Sequence, residues 1–134
     1  EGDSTCEIVA NQVYQIAKSK KRVLVCLDSN HVHDHVFKEL KLYADLTSLG
    51  SYCVVFDTIV EDLPNDYMPE SRPWNPGNNP KTAVLEFLKS NSNFEIDKSI
   101  DNKLLISVAP DGYLKRVKWF IITLNSKYNQ KWVC

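Results

Sequence analysis

Glycine is scarce in this sequence, four residues among 134. Gly2, Gly50, Gly77 and Gly112 form neither a Gly-x-Gly-x-x-Gly nor a Walker-type loop, so these residues alone cradle neither a dinucleotide nor a triphosphate. Concentrated positive charge is missing as well: 16 basic side chains face 17 acidic ones, for a net charge of -1. With no stripe of Lys and Arg to neutralise phosphates, nucleic acid is not an expected partner. No apolar run approaches the roughly 20 residues of a membrane span. The start, "EGDSTCEIVANQV", lacks the basic residues and apolar core of a signal peptide. Contact with a membrane is not expected, and the reading is a soluble, cytoplasmic protein. There is also no Gly-x-Ser-x-Gly elbow and no Cys/His pair of nucleophile spacing, which removes the support for covalent hydrolysis.

The cysteines are Cys6, Cys26, Cys53 and Cys134. Their spacing matches no zinc pattern, and Cys26 and Cys53 sit inside apolar, strand-like runs. Buried, reduced thiols are expected rather than a disulfide framework. A chain of this length makes one domain and buries roughly two-thirds of its unfolded surface.

What is present reads as alternating helices and strands. Ser4-Thr5-Cys6-Glu7 fits a capping box, and Ile8, Val9, Val13, Ile16 and Ala17 follow at helical spacing. "RVLVCLD" is a β-branched run without alternation, as buried parallel strands read. Val36, Phe37, Leu40, Tyr43, Ala44 and Leu46 then predict a helix that Gly50 stops. "SYCVVFDT" repeats the apolar strand ending in aspartate, which completes a βαβ unit. Five prolines between Pro64 and Pro80 exclude a continuous helix or central strand there. So long a loop is usually a lid or a disordered segment, and Trp74 within it argues for docking. A short helix is predicted over Thr82 to Ser90, with strands at Phe94 to Ile96, Leu104 to Ala109, and Tyr113 to about Leu124. The fold class is α/β, with no internal repeat.

Ligands of open α/β sheets bind beyond the carboxyl ends of the strands. Asp28 and Asp57 each end a predicted strand, and two adjacent parallel strands would put both carboxylates on one rim, close enough to share magnesium. On spacing alone, simple capping of the segments that follow is the plainer reading. All three histidines fall in "LDSNHVHDH". The run "HVHDH" is one residue short of the His-x-His-x-Asp-His motif of metallo-β-lactamases, and no further histidine lies downstream. His33 and His35 read as solvated groups in a helix's first turn. His31, beside Asp28, is the candidate substrate-contacting or acid-base group.

Taken together, "EGDS", "VLVCLDSNHVHDHVFKELKLYADLTSLGSYCVVFDT", "RPWNPGNNPKTAVLEFL", "NFEID" and "LLISVAPDGYLKR" resemble the cephalosporin hydroxylase family. That family is related to rhamnosyl O-methyltransferases, on the class I S-adenosylmethionine-dependent methyltransferase fold. The resemblance runs over nearly all of residues 1–117 and implies a partial Rossmann-like sheet from the fourth strand onward. Its strands would be parallel with a C-terminal antiparallel strand, and helices would lie on both faces. It further implies magnesium-assisted O-methyl transfer to a small polar metabolite.

By the same resemblance Asp28 and Asp57 are metal ligands, and Asp3 and Ser4 lie on the adenine side of S-adenosylmethionine. His31 lies near the acceptor, and the loop of Trp74, Asn78 and Asn79 covers the substrate. Two departures weaken the metal site: Phe56 stands where the family usually has glutamate, and Asn30 where it has aspartate. The family's glycine-rich cofactor loop has no counterpart in these residues, so the chain reads as a single partial domain without the N-terminal cofactor-binding half. Its fourth-strand edge would be open to self-association as a homo-oligomer, or to a separate N-terminal half. The alternative to an impaired enzyme is therefore a non-catalytic α/β module that associates through that edge. Hydroxylation, suggested by the family's name, finds no iron-binding triad in the sequence.

Overall fold

The computed structural model describes residues 2–67, 69 and 71–118. The predicted continuation of the last strand toward Leu124, the tail and Cys134 lie outside the described residues. In chain order the elements are α1 (Glu7–Ala17), β1 (Val25–Leu27), α2 (His33–Tyr43), β2 (Tyr52–Val55), α3 (Pro80–Ser90), β3 (Phe94–Ile96), α4 (Lys98–Leu104) and β4 (Tyr113–Arg116). Short 3-10 turns occupy Ala44–Leu46, Thr58–Asp62 and Asn65–Tyr67.

One mixed sheet runs in the order β1-β2-β4-β3. β1 and β2 are parallel, with Leu27 beside Val55, while β4 is antiparallel to both β2 and β3. The α/β class expected from the sequence, parallel strands closed by an antiparallel one, is the class observed, and it is consistent with part of a methyltransferase Rossmann-like fold. Among the described residues β1 is an edge strand with its outer side unpaired.

The core forms where α2 and α3 pack on each other and on the sheet. Val36, Leu40 and Tyr43 come from α2, Ala83, Val84 and Phe87 from α3, and Leu27, Cys53, Val55, Phe94 and Leu114 from the strands. Cys53 and Val55 alternate along β2, so both reach the same face. Burying a side chain as completely as Leu40 contributes about 2 kcal/mol.

Several expectations need correcting. No capping box starts α1: Cys6 is the N-cap, without a side-chain bond. The Ser4 hydroxyl reaches Ser29 and His35 instead, and Asp3 turns back on Thr5. α1 also buries none of its residues, and Ile8 and Ile16 stand exposed. Cys26, on the edge strand β1, is exposed, whereas Cys53 is buried; Cys6, Cys26 and Cys53 are all free thiols.

The predicted strand at Leu104 to Ala109 is absent. Asp97 caps α4 through the Ser99 amide, the helix consumes Leu104, and Leu105 turns with φ 63°. Leu105 and Ile106 are 86% and 92% exposed. β2 already has β1 on one side and β4 on the other, so no slot for a strand is left beside it. A short apolar run fits either assignment by periodicity, and here the end of α4 and the turn at Leu105 take it up.

Candidate functional site

The rim of the sheet is set by register. Leu27 pairs with Val55, and the Phe56 amide donates to the Leu27 carbonyl at 3.0 Å. Asp28 and Phe56 thus leave the two strands side by side. The chain then bends at Asp57, whose backbone is left-handed (φ 54°, ψ 24°). That conformation is uncommon outside glycine, and aspartate is among the residues that tolerate it. Its side chain meets His31, with Oδ2 2.5 Å from Nε2.

His31 reaches this point because the loop after β1 is an Asx turn: the Asn30 side chain accepts from the Val32 amide at 2.9 Å. The aspartate-to-asparagine departure at this position thus leaves a turn-former in place. Asp28, His31 and Asp57 each offer one ligand atom, and these atoms lie within 4.8 Å of one another. Two carboxylates and an imidazole from three separate segments fit a divalent cation with open positions left for water or substrate. The two aspartates expected at the rim are therefore together, and His31 joins them.

Of the loop residues, Trp74 lies against His31 with ring centroids 4.9 Å apart, and the Arg72 guanidinium lies over the indole at 5.3 Å from its centroid. Asn78 and Asn79 are occupied differently. The Asn78 side chain accepts from the His33 amide and donates to the Pro73 carbonyl. Asn79 is fully buried; its oxygen caps α3 at the Lys81 and Thr82 amides, and its nitrogen donates to Glu61 and to the Asn75 carbonyl. With both donors and its acceptor engaged, Asn79 shapes the loop and has no polar group turned to a substrate. Glu61 also accepts from the Gly77 amide at 2.7 Å, which fastens the proline-rich loop to the turn after β2.

The neighbouring histidines are not free surface groups. His33 meets Thr82 at 2.8 Å and Glu86 at 3.1 Å, tying α2 to α3. His35 meets the hydroxyls of Ser4 at 3.1 Å and Ser29 at 3.2 Å.

A cavity of about 540 Å³ is lined by α1, by β1 with the residues flanking it, and by Glu39 and Tyr43 of α2. Val9, Val13 and Val25 give it an apolar wall, and Ser4, Asp28, Ser29 and Glu39 a polar end. The volume lies in the range of small-molecule sites. Ser4 therefore shares a cavity with the rim aspartate Asp28. Asp3 does not line it: its carboxylate accepts from the Thr5 amide and hydroxyl, and the amide bond above all holds it below the usual carboxylate range.

Glu39 is the residue that sequence reasoning missed. It is 2% exposed, accepts from the Ser29 hydroxyl at 2.7 Å through one oxygen, and leaves Oε2 buried without a hydrogen-bond partner. An acid set between Val36, Leu40 and Tyr43 on the apolar side of a helix was the available signal. Tyr43, beside it, donates to the Ser4 carbonyl at 2.5 Å, and burial followed by the Glu39 charge pushes its phenol up.

Comparison with known proteins adds the following. A family model described as Rhamnosyl O-methyltransferase/CmcI matches residues 1–117. Proteins named rhamnosyl O-methyltransferase, from Mycobacterium bovis and Mycobacterium tuberculosis, are 30% identical over 118 residues, covering 87% of this chain and 45% of theirs. The chain thus spans a little under half the length of these curated relatives. No solved structure matches it.

Proposed function

Since this chain belongs to the Rhamnosyl O-methyltransferase/CmcI family, we propose that it serves S-adenosylmethionine-dependent O-methyl transfer to a small polar acceptor, with Asp28 and Asp57 holding a divalent cation, magnesium in the family expectation. The observation that supports this reading is the cavity with Ser4 and Asp28 in one lining, which would let a cofactor and a cation lie side by side. When bound, the cation would lower the pKa of an acceptor hydroxyl, and S-adenosylmethionine would supply the methyl group. The chain's own residues do the positioning. Asp28 and Asp57 fix where the acceptor oxygen lies, and His31 flanks it. Trp74 covers that point and keeps water out, as a loop pinned by Glu61 and Asn79 allows. Ser4, with Glu39 behind it, lines the cofactor's side.

These 134 residues hold no glycine-rich cofactor loop, so binding by the chain as it stands is expected to be weak. Calorimetry with S-adenosylmethionine, with and without a divalent cation, tests this. Weak binding that the cation strengthens, and that Ser4→Trp removes by filling the cavity, is the expected result. No binding at millimolar cofactor, or binding that Ser4→Trp leaves intact, overturns the cofactor reading.

A second reading is favoured by the outer edge of β1. Ile8 and Ile16 stand exposed on α1, and the apolar cavity wall of Val9, Val13 and Val25 joins that helix to β1, whose outer side is unpaired among the described residues. In this reading the chain is a non-catalytic α/β module that pairs through its β1 edge with a second copy or with a separate N-terminal half. Sedimentation velocity distinguishes the two: reversible self-association that a proline at Cys26 abolishes supports pairing, and a stable monomer at all concentrations counts against self-association.

A further inference from the structure

The three groups at the rim differ in kind, and the difference bears on which cation they hold. We propose that His31 is a cation ligand together with Asp28 and Asp57, and that this nitrogen-containing set prefers a first-row transition dication such as manganese to magnesium. The inference rests on the cation site proposed above and specifies its chemistry.

Geometry supplies the first argument. On an octahedral ion with ligands at roughly 2.1 Å, adjacent donors stand about 3 Å apart. The donor atoms of Asp28, His31 and Asp57 already lie within 4.8 Å of one another, with His31 Nε2 and Asp57 Oδ2 at 2.5 Å. A cation between them requires His31 and Asp57 to part from 2.5 Å to about 3 Å, and Asp28 is exposed and so least hindered. The neutral imidazole would bind through Nε2 with its proton on Nδ1, in place of the bond it now makes to Asp57.

Supply of donors is the second argument. The residue next to Asp28 across the two strands is Phe56, which offers no ligand atom. A third protein ligand therefore comes from the loop after β1, and there the Asx turn at Asn30 and the Trp74 ring hold His31 toward Asp57. His33 and His35 are committed elsewhere, to Thr82 and Glu86 and to Ser4 and Ser29.

Donor chemistry is the third. Magnesium takes oxygen ligands in near-ideal octahedra and gives up water reluctantly. An imidazole nitrogen is a poor ligand for it and a good one for the later dications, whose affinities rise along the first row. Two carboxylates keep the site hard enough for manganese, and the single histidine tilts it away from magnesium.

The experiment titrates the 134-residue chain with Mn2+, followed by loss of the free-ion electron paramagnetic resonance signal, and with Mg2+ by calorimetry. Co2+ serves as an absorption probe of nitrogen ligation. Manganese is expected to bind at least about tenfold more tightly than magnesium. His31→Ala is expected to erase that preference and to change the visible Co2+ spectrum. His31→Gln, which keeps a polar side chain of similar reach, should behave like His31→Ala while circular dichroism shows the fold unchanged. Equal affinities for the two ions, manganese binding unaffected by either substitution, or no binding of any of the three ions at millimolar concentration would each overturn the proposal. Cofactor titration in the absence of any cation is independent of these outcomes, so failure here does not decide the methyltransferase reading.

Discussion

Asp57 and His31, twenty-six positions apart, meet at 2.5 Å, with Asp57 in a left-handed backbone conformation directly after β2. That conformation has a measurable consequence. Asp57→Ala and Asp57→Gly both remove the carboxylate and its contact with His31, so the difference between them isolates the backbone. Glycine should be the more stable of the two by about 1 kcal/mol, since an L side chain costs roughly 1–2 kcal/mol in this region and glycine loses some of that again as chain entropy. Urea denaturation of the pair gives the value, and equal midpoints would show that Asp57 is not held left-handed in solution.

Gly112 and the Val55 carbonyl make a second constraint close to the rim. A Cβ on Gly112 would come within 2.1 Å of that oxygen, while the Val55 amide donates to the Gly112 carbonyl at 2.9 Å. The turn before β4 and the end of β2 are thus locked backbone to backbone, with no flexible side chain to give way. Gly112→Ala should cost about 2 kcal/mol or more, near the upper part of the range for overpacking. Because the shift falls at the strand end that carries Asp57, cation affinity should fall as well. A thermal melt within 1 °C of the parent chain would contradict the close contact.

How much of this was legible in the residues depends on whether the deciding interaction is local. The βαβ unit was, because apolar runs at Val25–Leu27 and Tyr52–Val55 flank a helical pattern, and the two terminal aspartates follow from strand polarity alone. α3 was legible to within its first turn; Asn79 and Pro80 extend it backward by capping. The run from Leu104 to Ala109 was not, since its five apolar residues suit a strand by pattern, while α4 takes up Leu104 and the chain turns at Leu105. At the site, the closeness of Asp28 to Asp57 could be inferred from parallel pairing. The engagement of His33 with α3 and of His35 with Ser4 could not, because their partners are 45 or more and 31 residues away. Asn79 was placed in the loop expected to cover the substrate, and its side chain caps α3 and bonds Glu61 and Asn75 within and beside that loop.

That role of Asn79 is open to test. Its side chain caps α3 and ties it to Glu61 and Asn75 across the proline-rich segment. Loss of an N-cap costs about 1 kcal/mol, and the bonds from the Asn79 amide to the half-buried Glu61 carboxylate and the Asn75 carbonyl are lost with it. Asn79→Ala should therefore lower stability by about 2 kcal/mol. Asn79→Asp keeps the cap but loses the donor and sets a second carboxylate against Glu61, so it should rescue little. Limited proteolysis gives a second readout: cleavage between Pro64 and Asn78 should become faster in both variants. Unchanged cleavage would mean that the loop is held by something other than Asn79.

Acid sensitivity should report on the far end of the sheet. The Ser99 hydroxyl first, and then the Tyr52 hydroxyl, hold the Asp97 carboxyl below its ordinary value of 3.8. Asp97 thus joins the start of α4 to β2 through Tyr52, at 2.8 Å. A carboxyl depressed in the folded chain binds its proton more readily when unfolded, so its stabilisation is present above the unfolded value and is lost as pH falls through the folded one. Asp3 is depressed in the same direction by Thr5 and adds to the same window at the other end of the molecule. Melting temperature should therefore decline as pH drops from about 5 toward 2. Asp97→Asn should melt lower than the parent at pH 6 and lose less on acidification, so that the two curves converge in acid. Parallel curves for Asp97→Asn and the parent chain would show that the Tyr52 and Ser99 bonds do not persist in solution.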